Sequence, residues 1–240
     1  MTRLPPELPE YRLRVDRRAR HVRLRVTPRG ELVVTVPPGF PEAELGPILA
    51  RRADWVRQVR ARQHRHQAAA PEVGGARPRE IRLAAIEEAW EVNYASVQAR
   101  TLQALPRRRL LRVDARAGDE ELGAALRRWL QARAKAVLPP WLARVSEETG
   151  LVFRSVGVRG QRSRWGSCSA RGHISLNRNL LFLPADTVRY LLVHELCHTR
   201  HLDHSAAFWR EVARHQADWR QQESVLREAG RRLPLWCHAP

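Results

Sequence analysis

The chain has 240 residues, of which 43% are hydrophobic and 28% are charged, with 43 lysines and arginines against 25 acidic residues. This length and apolar content exclude a disordered chain and suffice for one large domain or two small ones. No apolar run approaches the roughly 18 residues of a transmembrane helix, and the first residues lack the apolar segment of a secretory signal.

The cysteines indicate the compartment in which the protein works. There are three, an odd number with no CxxC pair, which argues against a disulfide framework. We therefore expect a cytoplasmic protein without a membrane partner. We expect the three thiols to be small buried side chains rather than nucleophiles: Cys168, Cys197 and Cys237.

The positive charge is spread along the chain instead of being concentrated in a tail. Residues 1–70 carry a net charge of +8, residues 71–150 carry +3 and residues 151–240 carry +7. This distribution favours a solvated basic surface, with a surface that binds nucleic acid or another polyanion as the alternative.

The first predicted elements are a β-hairpin and a helix. Residues 22–26 alternate valine or leucine with arginine, residues 27–30 (TPRG) form a turn, and an apolar run at 32–36 returns. From Glu42 the apolar residues recur at helical spacing as far as Val59, with arginines on the opposite face.

A linker is predicted after this helix. Residues 68–78 (AAAPEVGGARP) are rich in alanine, glycine and proline. We therefore predict an N-terminal lobe over residues 1–67, formed by the hairpin and the helix, and a main domain over residues 79–240. One continuous domain is the alternative.

Two strands and a long helix are predicted in the middle of the chain. Residues 90–94 alternate apolar and polar side chains, and residues 110–113 form a short apolar run. A helix begins near Asp119, a suitable N-cap, is kinked or broken at Pro139-Pro140, and stops at Gly150. We expect four tryptophans on these apolar stripes to pack in the core: Trp55, Trp90, Trp129 and Trp141.

A short motif on the next predicted helix carries the chemistry. Pro184 and Asp186 are typical of a helix start, and the helix then contains His194-Glu195-Leu196-Cys197-His198. The two histidines stand one turn apart, so both imidazoles can reach one metal ion. Glu195 lies about 100° around the helix, where it can contact a water on the metal. This HExxH pattern predicts a zinc site in which Glu195 acts as general base.

The third ligand must come from beyond the motif, because a catalytic zinc takes three protein ligands and keeps one position open. On a continuous helix His201 would lie about 10.5 Å from the first histidine, so its imidazole would point past the metal. His204 can complete the site if the helix ends before it. Asp203 tolerates the left-handed conformation that ends helices, and Ser205 is a suitable N-cap for a following helix. We therefore favour His204, with His201 and Glu211 as the alternatives.

The residues from Gln161 to Trp209 resemble a known family. The blocks WGSC, at 165–168, and HELCH…H…FW, at 194–209, are the most specific elements of the resemblance. They look like the YgjP-like metallopeptidase domain, which is related to the SprT-like and WLM zincins. The upstream hairpin and strands extend the similarity over nearly the whole chain.

The resemblance implies an α+β, zincin-like fold, with a mixed or antiparallel sheet beside an active-site helix that carries HExxH, in addition to the N-terminal β-hairpin and helix. It implies Zn²⁺ as the cofactor and a peptide or protein as the substrate. One departure is Asp203, where asparagine or glycine is expected, although aspartate can still make that turn. The implied site residues are Glu195 as the catalytic group and His194, His198 and His204 as metal ligands.

The segment between residues 151 and 185 contains six arginines and no acidic residue. In zincins the strand beside the active-site helix is usually an edge that pairs with an extended substrate, and the resemblance implies that a hairpin in this segment takes that place. A basic edge favours an acidic peptide, a nucleotide, or a protein held on nucleic acid. The candidate substrate-binding residues are Arg162, Arg164 and Trp165, with packing inside the hairpin as their alternative role; residues 165–168 are interpreted as a packed turn.

Three functions fit these residues, and we favour a zinc-dependent metallopeptidase in which Glu195 activates a zinc-bound water for peptide-bond hydrolysis. A metal-dependent phosphohydrolase acting on nucleoside triphosphates would use the same site, although the chain has no P-loop pattern. A non-catalytic polyanion-binding protein with structural zinc is the third hypothesis. It is disfavoured because structural zinc usually has four protein ligands.

Overall fold

The computed structural model describes residues 9–27, 30–68, 77–95, 101–161, 164–230 and 232–238, with the backbone alone over residues 62–68. The chain forms two compact units, one within residues 1–71 and the other within residues 72–240. Five α-helices and three mixed sheets lie in the described part of the chain. The fold is therefore α+β, with its strands in three small sheets, whereas one sheet and a separate N-terminal β-hairpin were predicted.

The N-terminal unit is a three-stranded sheet with one helix. Its elements are β1 (Tyr11–Val15), β2 (Arg23–Val26), β3 (Leu32–Val36) and α1 (Leu45–Ala68). β2 and β3 pair antiparallel, which confirms the predicted hairpin. β1 was not predicted; it pairs parallel with β3, which makes the strand order β1-β3-β2.

One face of this sheet packs against α1. The buried residues of β3 alternate along the strand: Leu32, Val34 and Val36. They pack with three buried residues of α1: Leu45, Leu49 and Val56. The prediction that Trp55 lies in the core is wrong, because 39% of its surface is exposed. The buried positions of α1 recur at intervals of three, four and seven residues, and Trp55 lies beside that stripe, where solvent reaches it.

The C-terminal unit begins with a four-stranded sheet. Its strands are β4 (Glu80–Leu83), β5 (Glu88–Ala95), β6 (Leu102–Leu105) and β7 (Leu110–Asp114), in the order β4-β5-β7-β6. β5 and β7 are the two strands predicted from the sequence, and they pair parallel, with Val92 opposite Leu111. β4 and β6, which were not predicted, pair antiparallel at the two edges.

A long helix, α2 (Asp119–Thr149), follows this sheet. It is not broken at Pro139-Pro140, because Leu138 and Leu142 on either side are fully buried and hold the helix in the core. The N-cap residue is Gly118, not Asp119, whose carboxylate instead accepts a hydrogen bond from Nε of Arg77 at 3.1 Å. The helix ends as predicted at Gly150, which has a φ of +67°.

A buried ion cluster ties this sheet to α2. Glu88 on β5 is 6% exposed and accepts from Nε of Arg133 at 3.0 Å and from Nε1 of Trp90 at 2.8 Å. Nη1 of Arg109 lies 2.6 Å from the same carboxylate. Burial acts to raise the pKa of Glu88, but the hydrogen bonds from Arg133 and Trp90 and the two guanidinium charges hold that pKa below its ordinary value.

The second sheet of this unit borders the predicted active-site helix. It contains β8 (Ser155–Arg159), β9 (Gly166–Cys168) and β10 (His173–Asn177) in the order β8-β10-β9, so that β9 is an edge strand. Residues 166–168 therefore form a strand and not the packed turn that was predicted. β10 pairs antiparallel with β9 and parallel with β8.

Three helices complete the C-terminal unit: α3 (Ala185–Cys197), α4 (Ala206–His215) and α5 (Trp219–Ala229). α3 packs against α2, α4, α5 and β9. No helix in the described part of the chain is long and apolar enough to cross a membrane. All three thiols are free; Cys197 and Cys237 are buried as predicted, whereas Cys168 on β9 is half-buried.

Candidate metal centre

Helix α3 supplies the first two histidines and the glutamate. Asp186 lies in its first turn but makes no side-chain cap; Pro184 is the N-cap residue. The buried apolar residues of α3 hold it in the core, so that the end of the helix, where His194 and Glu195 lie, is fixed. The last helical residue is Cys197, and His198 is the C-cap residue.

The chain reverses between α3 and α4 and brings a third histidine back to the helix end. The amides of Thr199, Arg200 and His201 donate to carbonyls in the last turn of α3. Asp203 does not adopt the predicted left-handed conformation; its carboxylate accepts from the amide of Ser205 at 3.2 Å. This local hydrogen bond fixes the turn, and Ser205 is the N-cap residue of α4.

The Nε2 atoms of the three predicted histidine ligands converge. Nε2 of His194 lies 3.2 Å from Nε2 of His198 and 3.2 Å from Nε2 of His204. Among the described residues these three form a cluster whose possible ligand atoms lie within 4.8 Å of one another. Two nitrogens bound at about 2.05 Å to one tetrahedral zinc ion lie about 3.3 Å apart, so these residues fit such an ion.

The tautomer of His198 and the protonation state of His194 also suit the binding of a cation. Nδ1 of His198 donates to the carbonyl of His201 at 2.9 Å, which leaves the lone pair of His198 on the converging Nε2. Burial, together with the neighbouring imidazoles, lowers the pKa of His194 to about 3. His194 is therefore neutral at physiological pH, and a neutral imidazole is the form in which histidine binds zinc.

Glu195 follows His194 on α3, and its side chain is buried. It is 4% exposed, and its Oε2 atom is buried with no partner among the described residues. Burial raises the pKa of Glu195 to about 8, which the positive charge of Arg164 only partly opposes. A buried carboxylate oxygen without a donor is costly unless a ligand or water contacts it, which marks this atom as one that takes part in binding or chemistry.

The edge strand β9 approaches this carboxylate at a glycine. A Cβ atom built on Gly166 would lie 2.5 Å from Oε1 of Glu195 and 2.8 Å from its Cγ and Cδ atoms. Any other residue at this position would displace the carboxylate, so Gly166 is what allows the strand to pass directly beside it. The sequence did not predict that Gly166 lies beside Glu195, because residues 165–168 were interpreted as a turn.

Two aromatic residues at the start of α4 support the histidines, and the sequence analysis assigned them no role. The ring of Phe208 stacks on His198 at a centroid distance of 4.5 Å. Trp209 stacks on the exposed imidazole of His204 at 5.7 Å and on Trp219 at 4.3 Å. Their adjacent positions behind the third histidine were the available signal, but the contacts depend on how α4 packs against α3.

The two alternative third ligands do not join the cluster. The carbonyl of His201 supports His198, while its imidazole lies outside the group of converging nitrogens. Glu211 is engaged elsewhere: its carboxylate accepts from Nη1 of Arg200 at 3.0 Å and lies 3.4 Å from Nε2 of His215. The ion pair between Arg200 and Glu211 connects the turn after α3 to α4. Arg200 also donates to the carbonyl of Gly150.

The predicted substrate-binding residues lie in different environments. Arg164 is exposed next to β9, close enough to lower the pKa of Glu195. Trp165 packs on the core, and its Nε1 donates to the carbonyl of Leu226 at 3.1 Å, which favours a packing role. Arg162 lies outside the described residues. Asn177 holds this loop, since its Nδ2 donates to the carbonyls of residues 161 and 164.

Comparisons with known proteins give a family match and a similar solved structure. A family model for the YgjP-like metallopeptidase domain matches residues 20–229. A similar solved structure is the crystal structure of the metallopeptidase zymogen of Pyrococcus abyssi abylysin, with 23% sequence identity and a TM-score of 0.36, covering 41% of this chain and 100% of that chain. No curated protein matches the sequence. Because the family match spans most of the sequence, the chain belongs to the YgjP-like metallopeptidase domain family.

Proposed function

We propose that the protein is a zinc-dependent peptidase whose metal ligands are His194, His198 and His204 and whose general base is Glu195. The observation that carries this proposal is the convergence of three imidazole Nε2 atoms beside a buried, unpartnered carboxylate oxygen. Zinc bound there would supply Lewis-acid chemistry, polarising a carbonyl and acidifying a water.

The protein's own side chains have distinct roles in this proposal. His198 is oriented by its hydrogen bond to the carbonyl of His201, and His204 by its stacking on Trp209. In its ionised form, which a bound cation would favour, Glu195 accepts a proton from the attacking water at Oε2 and returns it to the leaving amine. Its burial keeps this carboxylate away from competing hydrogen bonds with solvent.

The edge strand β9 is where we place the substrate. An extended peptide could add to the sheet through the backbone of residues 166–168, which would bring its scissile bond next to Glu195. The exposed Arg164 at the start of this edge would favour an acidic residue in the peptide.

A paired hydrolysis assay tests this function. The zinc-loaded protein and its Glu195→Gln variant are offered an unfolded protein substrate and, separately, nucleoside triphosphates, with bound zinc measured in both proteins. We expect cleavage of the unfolded protein to fall by a factor of about 10² to 10⁴ in the variant, because it loses its general base but keeps its metal ligands.

The same assay separates the alternatives. Equal cleavage by both proteins at full zinc content would contradict the role of Glu195. Release of phosphate from nucleoside triphosphates that depends on Glu195, without peptide cleavage, would instead assign the site to a phosphohydrolase.

A further inference from the structure

The strand register of the N-terminal unit collects four arginines on one face of its sheet. Side chains of residues that pair across neighbouring strands lie on the same face. Two rows result, in which each arginine of β1 and each arginine of β2 flanks a residue of β3: Arg12, Val33 and Arg25 in one row, and Arg14, Thr35 and Arg23 in the other. We call this set of six residues the arginine face.

The arginine face is open to solvent. The opposite face carries Leu32, Val34 and Val36 and is covered by α1, so the helix does not cover the arginines. All four arginines are exposed, and Val33 and Thr35 between them are half-buried. Arg14 lies 3.8 Å from Asp16 with its side chain 64% exposed, and the other three have no acidic partner in the described part of the chain.

The segment around the four arginines adds further positive charge. Residues 11–27 contain seven arginines and one acidic residue, Asp16. Strands about 4.8 Å apart place the two outer strands, and their arginines, about 9.6 Å from each other, while successive arginines on one strand are about 6.7 Å apart. Such an array produces a positive local potential that attracts a ligand with several negative charges.

The residue types suit a chain of phosphate groups. A guanidinium presents a planar fork that binds phosphate oxygens in pairs. The arginine face contains no aromatic residue on which a base could stack, so a nucleic acid would be held by its backbone alone. It also contains no large apolar side chain to anchor it in a lipid surface.

We propose that the arginine face is a nucleic-acid-binding surface that contacts the phosphate backbone without reading the bases. This surface is separate from the proposed peptidase site, and its test does not depend on peptidase activity.

The test is binding of a short fluorescent DNA duplex of mixed sequence to the full chain, followed by anisotropy over a range of salt concentrations. One variant replaces Arg12, Arg14, Arg23 and Arg25 with glutamine. A matched control removes the same charge from four exposed arginines of the C-terminal unit, replacing Arg107, Arg108, Arg112 and Arg144 with glutamine.

In the variant of the arginine face we expect the slope of log affinity against log salt to fall by about 3 to 4, or about 0.9 for each phosphate no longer contacted. The control should keep most of the slope. A further variant with lysine at all four positions should also keep it, because the charges remain, and circular dichroism should show that each variant is folded.

Three outcomes would overturn the proposal. Equal losses in the variant and the control would show that only net charge matters. An unchanged slope would place the binding elsewhere on the chain, and no binding by the wild-type chain would mean that the arginine face does not bind nucleic acid. Stronger binding to a polyglutamate peptide or to anionic vesicles than to DNA would assign the arginine face to another partner.

Discussion

The N-terminal unit exposes the arginines of its sheet, whereas the C-terminal unit buries Glu195 and half-buries His194 and His198 at its candidate metal centre. Arg14 on β1 keeps 64% of its side chain in solvent, while Glu195 on α3 is 4% exposed. The pKa of Glu195 is raised to about 8 and that of His194 is lowered to about 3, in both cases because burial disfavours the charged form.

The difference shows that the arginine face and the candidate metal centre depend on different numbers of packed elements. An exposed row of arginines needs only strand pairing in the right register, because water solvates each charge. A buried carboxylate beside two half-buried imidazoles and one exposed imidazole needs several packed elements to bring the four groups together.

Removing one proposed ligand should have the largest effect. We expect His204→Ala to weaken zinc affinity by more than the roughly 10- to 100-fold that loss of a supporting residue causes. Affinity is measured by competition with a chromophoric chelator. The control is His201→Ala, which lies in the same turn and keeps the carbonyl that accepts from His198. Equal losses in both variants would mean that the turn, and not the imidazole of His204, determines affinity.

Glu88→Gln should destabilise the C-terminal unit by about 2–4 kcal/mol at neutral pH, because it leaves two arginines without their anionic partner. This loss of stability is smaller than the loss caused by breaking a fully buried ion pair, since the side chains of Arg109 and Arg133 are 47% and 32% exposed. Urea denaturation measures the change, with Glu91→Gln, an exposed residue of the same strand, as the control.

This effect should depend on pH in a defined direction. The folded state lowers the pKa of Glu88 from its ordinary value of 4.5, so the stabilisation is fully present above pH 4.5 and is lost as the pH falls through the lowered value. The difference in stability between the wild-type protein and Glu88→Gln should therefore shrink in acid. A difference that stays constant into strongly acidic solution would show that ionisation of Glu88 is not its source.

Gly166→Ala should lower activity about 10- to 100-fold, because the new Cβ atom displaces the carboxylate of Glu195 while the histidines stay in place. The measurement is kcat/KM on the unfolded protein substrate, together with zinc content, which should not change. Gly46→Ala is a control in the N-terminal unit, where a Cβ atom meets nothing within 4 Å. Retained activity in Gly166→Ala would mean that the precise position of Glu195 does not matter.

The smallest effect is expected from Trp209→Leu, which removes the ring that stacks on His204. An aromatic stack contributes about 0.5–1.5 kcal/mol, so zinc affinity should fall about two- to tenfold. Trp55→Leu, an exposed tryptophan of the N-terminal unit, should leave the affinity unchanged. An unchanged affinity in Trp209→Leu would show that His204 holds its orientation without this ring.

Much of the candidate site follows from local spacing. The interval of four residues between His194 and His198 predicts two imidazoles on one helix face, and the structure places them together. His204 was favoured because the helix had to end before it, and α3 does end, although Asp203 acts through a hydrogen bond instead of a left-handed backbone. The position of Gly166 beside Glu195 could not be predicted, because it depends on how β9 pairs with β10 and packs on α3.

The HExxH motif, the family resemblance and the elements with strong periodicity could be predicted from the sequence, because each of these depends on residues close together in the chain. Tertiary structure alone excluded Glu211 as a ligand, since that carboxylate is engaged by Arg200. It alone placed Phe208 and Trp209 on the histidines and gathered four arginines on one sheet face. These contacts join residues from different elements, and the packing and strand register that bring them together are decided by burial of the whole core.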